Sequence, residues 1–290
     1  MLPRPLTLDS GSLSFPALEL GPPSGPIVPM LHGFPDTHHG FFEQLEPPRP
    51  SFGALLAAAG FRVVAPAMRG LAPTAMPVDG DYTPLALAAD VAAHAELLGN
   101  KVHLLANDWG AFSAYLATVQ RPELFHKMVT LAIPHPLSLK PSLAMAWRAR
   151  HFVTFQFQKS AARSMRKRDF ALVDTLYRRW SPAWKFPTEA LTAVKQAYAQ
   201  PGVVEGALAP YAAMRRAKKQ TDAVLRQKIA VPTLALGGTA DPTVPKSTWE
   251  NSRRGFSADY RWDLVPDAGH FPHRENPVGT AERVIAFLKG

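Results

Sequence analysis

Six short apolar runs recur along the chain: residues 26–32 (PIVPMLH), 61–66 (FRVVAP), 101–106 (KVHLLA), 127–133 (KMVTLAI), 231–237 (VPTLALG) and 260–265 (YRWDLV). Several are too continuously apolar to alternate, the pattern of strands buried on both faces of a parallel sheet. Helical spacing occupies roughly 51–59, 84–98, 110–120 and 277–288. The clearest case is DYTPLALAADVAAHAELLG, with Thr83 placed as an N-cap, Pro84 as the first helical residue and Gly99 as a stop. Strands alternating with helices predict an α/β fold with a mostly parallel central sheet flanked by helices. Residues 5–10 and 13–20 predict an antiparallel hairpin at its edge.

The alternation stops between about 137 and 229. That stretch lacks strand runs and shows helical spacing over 142–158, 168–180, 187–199 and 203–218. It reads as a helical insertion between two strands. The predicted organisation is a core of 1–136 plus 230–290 and a helical cap of 137–229. An insertion leaving the C-terminal end of a parallel sheet lies over the place where such sheets bind ligands.

Composition narrows the chemistry. The 290 residues suffice for a large core, and the absence of cysteine excludes disulfides, thiolate metal sites and cysteine nucleophiles. The N-terminus MLPRPLTLDSGSLSF has no continuous apolar run, and no segment approaches the roughly 18 apolar residues of a membrane span. A soluble, cytoplasmic protein is expected, as a monomer or homodimer. The net charge of +9 draws on two clusters, RSMRKRD (163–169) and MRRAKKQ (214–220). Neither matches a nucleic-acid-binding motif, so both read as solvated helix faces. No nucleic-acid or membrane partner is expected. The pairs His38-His39 and His270/His273 lack the spacing and carboxylate companions of a zinc motif, so no metal or cofactor is expected.

The stretch LLANDWGAFS (104–113) carries the chemistry. Ala106, Asp108 and Gly110 form the pattern small-x-acid-x-small after a predicted strand and before a predicted helix, the context of a nucleophile elbow. An aspartate in this place would also serve as a plain N-cap. The loop LHGFPD (31–36) follows another strand, so the backbone N–H groups of Phe34 and Trp109 can converge on one oxyanion. LGGTADPTVP puts Asp241 just past a strand end, and VPDAGHFPHRENP puts His270 after the last strand. The order nucleophile, acid, histidine suits a catalytic triad.

The chain resembles an α/β-hydrolase of the epoxide hydrolase group, related to the haloalkane dehalogenases. HGFPDTHHGF, MRGLAPT, DGDYTPLALAAD, NDWGAFSAYLATVQRPELFHKMVTLAIPHP and DAGHFPHRENP carry the resemblance. It implies an α/β-hydrolase fold and conversion of an epoxide and water to a vicinal diol. Asp108 would form an ester with the substrate, and His270, oriented by Asp241, would activate water to hydrolyse it. Members of the group use two cap tyrosines as donors to the leaving oxygen. Tyr211 resembles the second. The first is missing: the stretch RARHFVTFQFQ offers His151, Phe152 or Val153, depending on which Phe-Gln pair is aligned, and His151 is the alternative donor. Asn107 also departs from the histidine usual before the nucleophile. Haloalkane or haloacid dehalogenation with the same Asp nucleophile is the alternative reaction. The alternative without chemistry is a ligand-binding, catalytically inactive version of the fold.

Overall fold

In the computed structural model, which describes residues 2–45, 49–99, 101–139, 150–242 and 244–290, eight strands form one sheet. They are β1 (Arg4–Asp9), β2 (Ser14–Leu20), β3 (Ile27–Leu31), β4 (Arg62–Pro66), β5 (Val102–Asn107), β6 (Phe125–Leu131), β7 (Thr233–Gly238) and β8 (Tyr260–Val265), in the order β1-β2-β4-β3-β5-β6-β7-β8. The hairpin β1–β2 and its junction with β4 are antiparallel; every other pairing is parallel.

The apolar runs owe their continuity to helices on both faces. Successive residues of a strand point to opposite sides. Leu104 and Ala106 therefore pack with Val91, Ala95 and Tyr115, whereas the intervening Leu105 packs with Leu56, Val284 and Phe287. The first group comes from α2 (Pro84–Leu98) and α3 (Trp109–Gln120), the second from α1 (Phe52–Ala58) and α12 (Pro277–Lys289). Helix α2 has the ends its sequence demands. The Thr83 side chain accepts from the Ala86 N–H at 3.2 Å, and Gly99 closes the helix at φ 119°, a conformation that a residue with a Cβ rarely adopts.

Between β6 and β7 the described chain is helical: α4 (Arg150–Gln156), α5 (Gln158–Met165), α6 (Ala171–Trp180), α7 (Thr192–Tyr198), α8 (Val203–Arg216) and α9 (Lys218–Leu225). A run expected over 142–158 breaks at Phe157, and its residues 142–149 lie outside the described ones. The helix expected from 168 starts at Ala171, because Arg168, Asp169 and Phe170 all have positive φ. Sequence spacing did not anticipate α5 or α9 as separate helices, nor α10 (Lys246–Ser252) and the short α11 (Pro272–Glu275). The inserted helices build a third apolar cluster over the ends of the parallel strands. It joins Tyr177, Trp180, Tyr198, Leu208 and Tyr211 to Phe34, Trp109 and Phe271 of the core.

Candidate active site

Asp108 sits between β5 and α3 with φ 50° and ψ −117°. A non-glycine residue pays strain to hold positive φ, and its neighbours must be small for the turn to close. Gly110 meets that condition: a Cβ there would fall 2.6 Å from the Leu31 carbonyl oxygen and 2.7 Å from that of His32. The Asp108 side chain makes no capping hydrogen bond to α3. The turn therefore presents a carboxylate rather than capping a helix.

Both carboxylate oxygens are directed. The Phe34 N–H donates to Asp108 Oδ1 at 2.8 Å, and Asp108 Oδ2 lies 3.3 Å from His270 Nε2. On the far side of the imidazole, Asp241 Oδ2 lies 3.5 Å from His270 Nδ1. Gly33 keeps the approach open, since a Cβ on it would meet Asp108 Oδ1 at 2.6 Å and the Trp109 amide nitrogen at 2.7 Å. The Phe34 amide thus holds the carboxylate, and the Trp109 amide nitrogen lies beside the same Gly33 position.

Electrostatics sets the resting state of His270. Burial disfavours its charged form, but hydrogen bonding and attraction from Asp108 and Asp241 outweigh this and raise its pKa to about 10. This shift favours the imidazolium form of His270 between Asp108 and Asp241 at neutral pH. Tyr211 is also held in its protonated form, which for a phenol is the neutral one. Burial and the Asp108 charge push its pKa well above that of a free phenol, so it keeps its proton.

Tyr211 lies on α8, enclosed by rings. Trp109 stands 5.1 Å away, Phe34 5.5 Å, Phe152 5.1 Å and Phe155 5.0 Å between centroids. The Gln156 side chain also donates to the Tyr211 carbonyl at 2.6 Å. Phe155-Gln156 is therefore the Phe-Gln pair that faces Tyr211, and His151 stands one helical turn before it. The His151 ring is 6.1 Å from Tyr211 and 4.9 Å from Trp180, which itself lies 5.1 Å from His270. All six residues singled out from motifs, Phe34, Asp108, Trp109, Tyr211, Asp241 and His270, come together here, with His151 at the wall.

Other contributors were silent in the sequence. Glu275 accepts from the Gly269 N–H at 2.7 Å, the Phe271 N–H at 2.8 Å and the Ser181 hydroxyl at 2.6 Å, which shapes the loop around His270. The His270 N–H in turn donates to Ser181 Oγ at 3.1 Å and the Trp180 carbonyl at 3.2 Å. Asn107 donates to the His270 carbonyl at 3.2 Å. Behind this layer, buried Arg274 pairs with Asp36 at 3.0 Å and with Glu43, and donates to the Tyr177 hydroxyl at 2.9 Å. The closeness of Glu275 to His270 in DAGHFPHREN was a signal of sorts. For Ser181, in a polar turn between helices, there was none.

A family model described as the alpha/beta hydrolase fold matches residues 26–277. The chain belongs to that family. Among relatives of this α/β-hydrolase, AB hydrolase superfamily protein YfhM of Bacillus subtilis is 25% identical over 278 residues, spanning 93% of this chain and 92% of the relative. Epoxide hydrolase A of Mycobacterium tuberculosis is 24% identical over 325 residues, spanning 99% and 98%. Among solved structures, epoxide hydrolase VrEH1 of Vigna radiata superposes with a TM-score of 0.82 at 22% identity, covering 99% of this chain and 98% of that one. Among the described residues of this hydrolase, no group of three or more His, Asp or Glu side chains is placed to hold a metal ion, and no helix is long and apolar enough to cross a membrane.

Proposed function

We propose that this α/β-hydrolase is an epoxide hydrolase that converts an epoxide and water to a vicinal diol through an ester on Asp108, needing no cofactor. The observation that carries this reading is the position of Asp108: a strained, uncapped carboxylate with one oxygen held by the Phe34 amide and the other facing His270. A carboxylate aimed this way suits attack on an sp³ carbon, where a serine would suit a carbonyl. The name of one relative, epoxide hydrolase A of Mycobacterium tuberculosis, supports the same reaction. The helices α4–α9, within the expected insertion of 137–229, act as the cap that closes the site and supplies Tyr211.

In the first step Asp108 attacks an epoxide carbon, the C–O bond of the ring breaks, and Tyr211 gives its proton to the departing oxygen. The ester removes the Asp108 charge, one of the two carboxylates that hold the His270 pKa up. His270 then sheds its proton, which restores the Tyr211 phenol, and becomes a base. In the second step His270 takes a proton from water, and the hydroxide adds to the ester carbonyl carbon. The Phe34 and Trp109 N–H groups bear the oxyanion. The acyl C–O bond breaks, His270 protonates the diol oxygen, and the carboxyl proton left on Asp108 passes back to His270.

Single turnover in ¹⁸O-water with enzyme in excess tests the reading. Label should enter Asp108 and leave the first diol largely unlabelled. Label appearing directly in the first diol, with no adduct on the Asp108 peptide, would sink it. Ester formation from a haloalkane, with halide release and no turnover of epoxides, would replace it by dehalogenation.

A further inference from the structure

We infer that Ser181, a residue of the cap, is a positioning residue for the water-activating step: its hydroxyl makes the setting of His270 depend on the cap being in place. The inference rests on the epoxide reading above. Ser181 is fully buried in the turn that follows α6. Its Oγ accepts from the His270 N–H at 3.1 Å and donates to Glu275 Oε1 at 2.6 Å. The same carboxylate accepts from the Gly269 and Phe271 N–H groups at 2.7 and 2.8 Å. One hydroxyl from the cap thus ties down the histidine's own backbone and, through Glu275, the residue on either side of it.

The two segments are fitted closely. A Cβ on Gly269 would fall 2.6 Å from Ser181 Cα and 2.7 Å from the Trp180 carbonyl oxygen, so the approach needs a glycine. That carbonyl also accepts from the His270 N–H, at 3.2 Å, and the Trp180 ring lies 5.1 Å from the imidazole. Farther along, Arg274 donates to the Tyr177 hydroxyl at 2.9 Å and to the Ala190 carbonyl at 2.5 Å. The cap segment from Tyr177 to Ala190 is therefore seated on the His270 loop by polar contacts. Helix α8 meets the core through rings, Tyr211 against Trp109 and Phe34. The cap has two attachments, and each serves a different step.

The reason lies in how the imidazole is held. It sits 3.3 Å from Asp108 Oδ2 and 3.5 Å from Asp241 Oδ2, at the loose end of hydrogen bonding. Its aim therefore comes from the backbone that carries it. Ring opening draws on the Asp108 carboxylate and the Tyr211 proton and asks no base of His270. Hydrolysis requires His270 to take a proton from a water placed at the ester carbon. Without the Ser181 hydroxyl the His270 N–H loses an acceptor and buried Glu275 a donor, so the loop must relax. That error falls on the second step.

The test is Ser181→Ala, with Ser181→Cys as a milder form whose thiol is a weaker donor and acceptor. Rapid-quench measurements in single turnover separate formation of the ester from its decay. Formation should match wild type. Decay should slow by roughly 10–10²-fold in Ser181→Ala, the upper figure being the cost of a misplacement of about 1 Å, and by less in Ser181→Cys. Decay rises with pH as His270 loses its proton. Loosening His270 from Asp241, whose charge raises its pKa, should move that rise to lower pH. Equal slowing of both steps would mean that the hydroxyl only holds the cap together, and would overturn the proposal. Unchanged decay, or slowed decay with its pH dependence in place, would overturn it with the epoxide reading intact. No ester in wild type would overturn both.

Discussion

Ser181 and Glu275 meet at 2.6 Å across the boundary between the inserted helices and the core. Ser181 follows α6, while Glu275 ends α11 and holds the two amides on either side of His270, those of Gly269 and Phe271. The contact joins the inserted helices to the loop that carries His270. Glu275→Ala should strand those two N–H groups and the Ser181 hydroxyl in a buried place. The expected loss of stability is about 2–4 kcal/mol, read from urea denaturation, with Glu275→Gln intermediate because its amide keeps only one accepting oxygen.

Removing the Tyr211 hydroxyl should leave substrate binding largely intact and slow ring opening. A general acid is worth roughly 10²–10⁴-fold, and rapid-quench measurement of the ester in Tyr211→Phe should show a loss in that range. His151→Ala, at a ring that lies 6.1 Å from Tyr211, should cost less than about tenfold by the same order-of-magnitude reasoning. A His151→Ala loss as large as that of Tyr211→Phe would make His151 a donor in its own right.

His270→Gln should trap the ester. Alkylation needs the Asp108 carboxylate and the Tyr211 proton but no base, whereas hydrolysis needs a base. Mass spectrometry of the intact variant after exposure to epoxide should therefore show a stable adduct of substrate mass on the Asp108 peptide. Rapid release of diol from His270→Gln would remove the histidine from the second step.

The pH dependence of stability follows from the same residue. The folded pKa of His270 is raised to about 10, above the value near 6.5 of an unfolded histidine. Its contribution is then fully present below about pH 6.5 and is lost as pH rises through about 10. The stability gap between wild type and His270→Gln should narrow steadily from pH 6 to pH 10 in urea titrations. A constant gap would mean that the imidazolium does not form between Asp108 and Asp241.

Gly33→Ala should separate geometry from chemistry. The added methyl would meet Asp108 Cβ at 2.5 Å and the Trp109 amide nitrogen at 2.7 Å, so the Asp108 side chain must shift. A displacement near 1 Å at a reacting centre costs on the order of 10²-fold. Ester formation should fall by about that factor with far less effect on the urea midpoint.

Much of this molecule was written in local patterns. The strand runs, Thr83 and Gly99 at the ends of α2, and the small residues around Asp108 are legible because each reflects a contact within a few residues or an environment that repeats along a strand. The order Asp108, Asp241, His270 was legible for a related reason: each follows a strand end, and parallel strands deliver their C-terminal ends to one edge. Tertiary structure decided the rest. Helices α5 and α9 begin just past Phe157 and Ala217, where the helical spacing read from the sequence ends. That Phe155-Gln156 faces Tyr211, that Ser181 reaches Glu275, and that the Tyr198 hydroxyl is buried with no hydrogen-bond partner among the described residues all depend on where helices far apart in the chain come to rest. Side-chain packing between non-neighbouring elements leaves no period in a sequence, so these relations exist only in the fold.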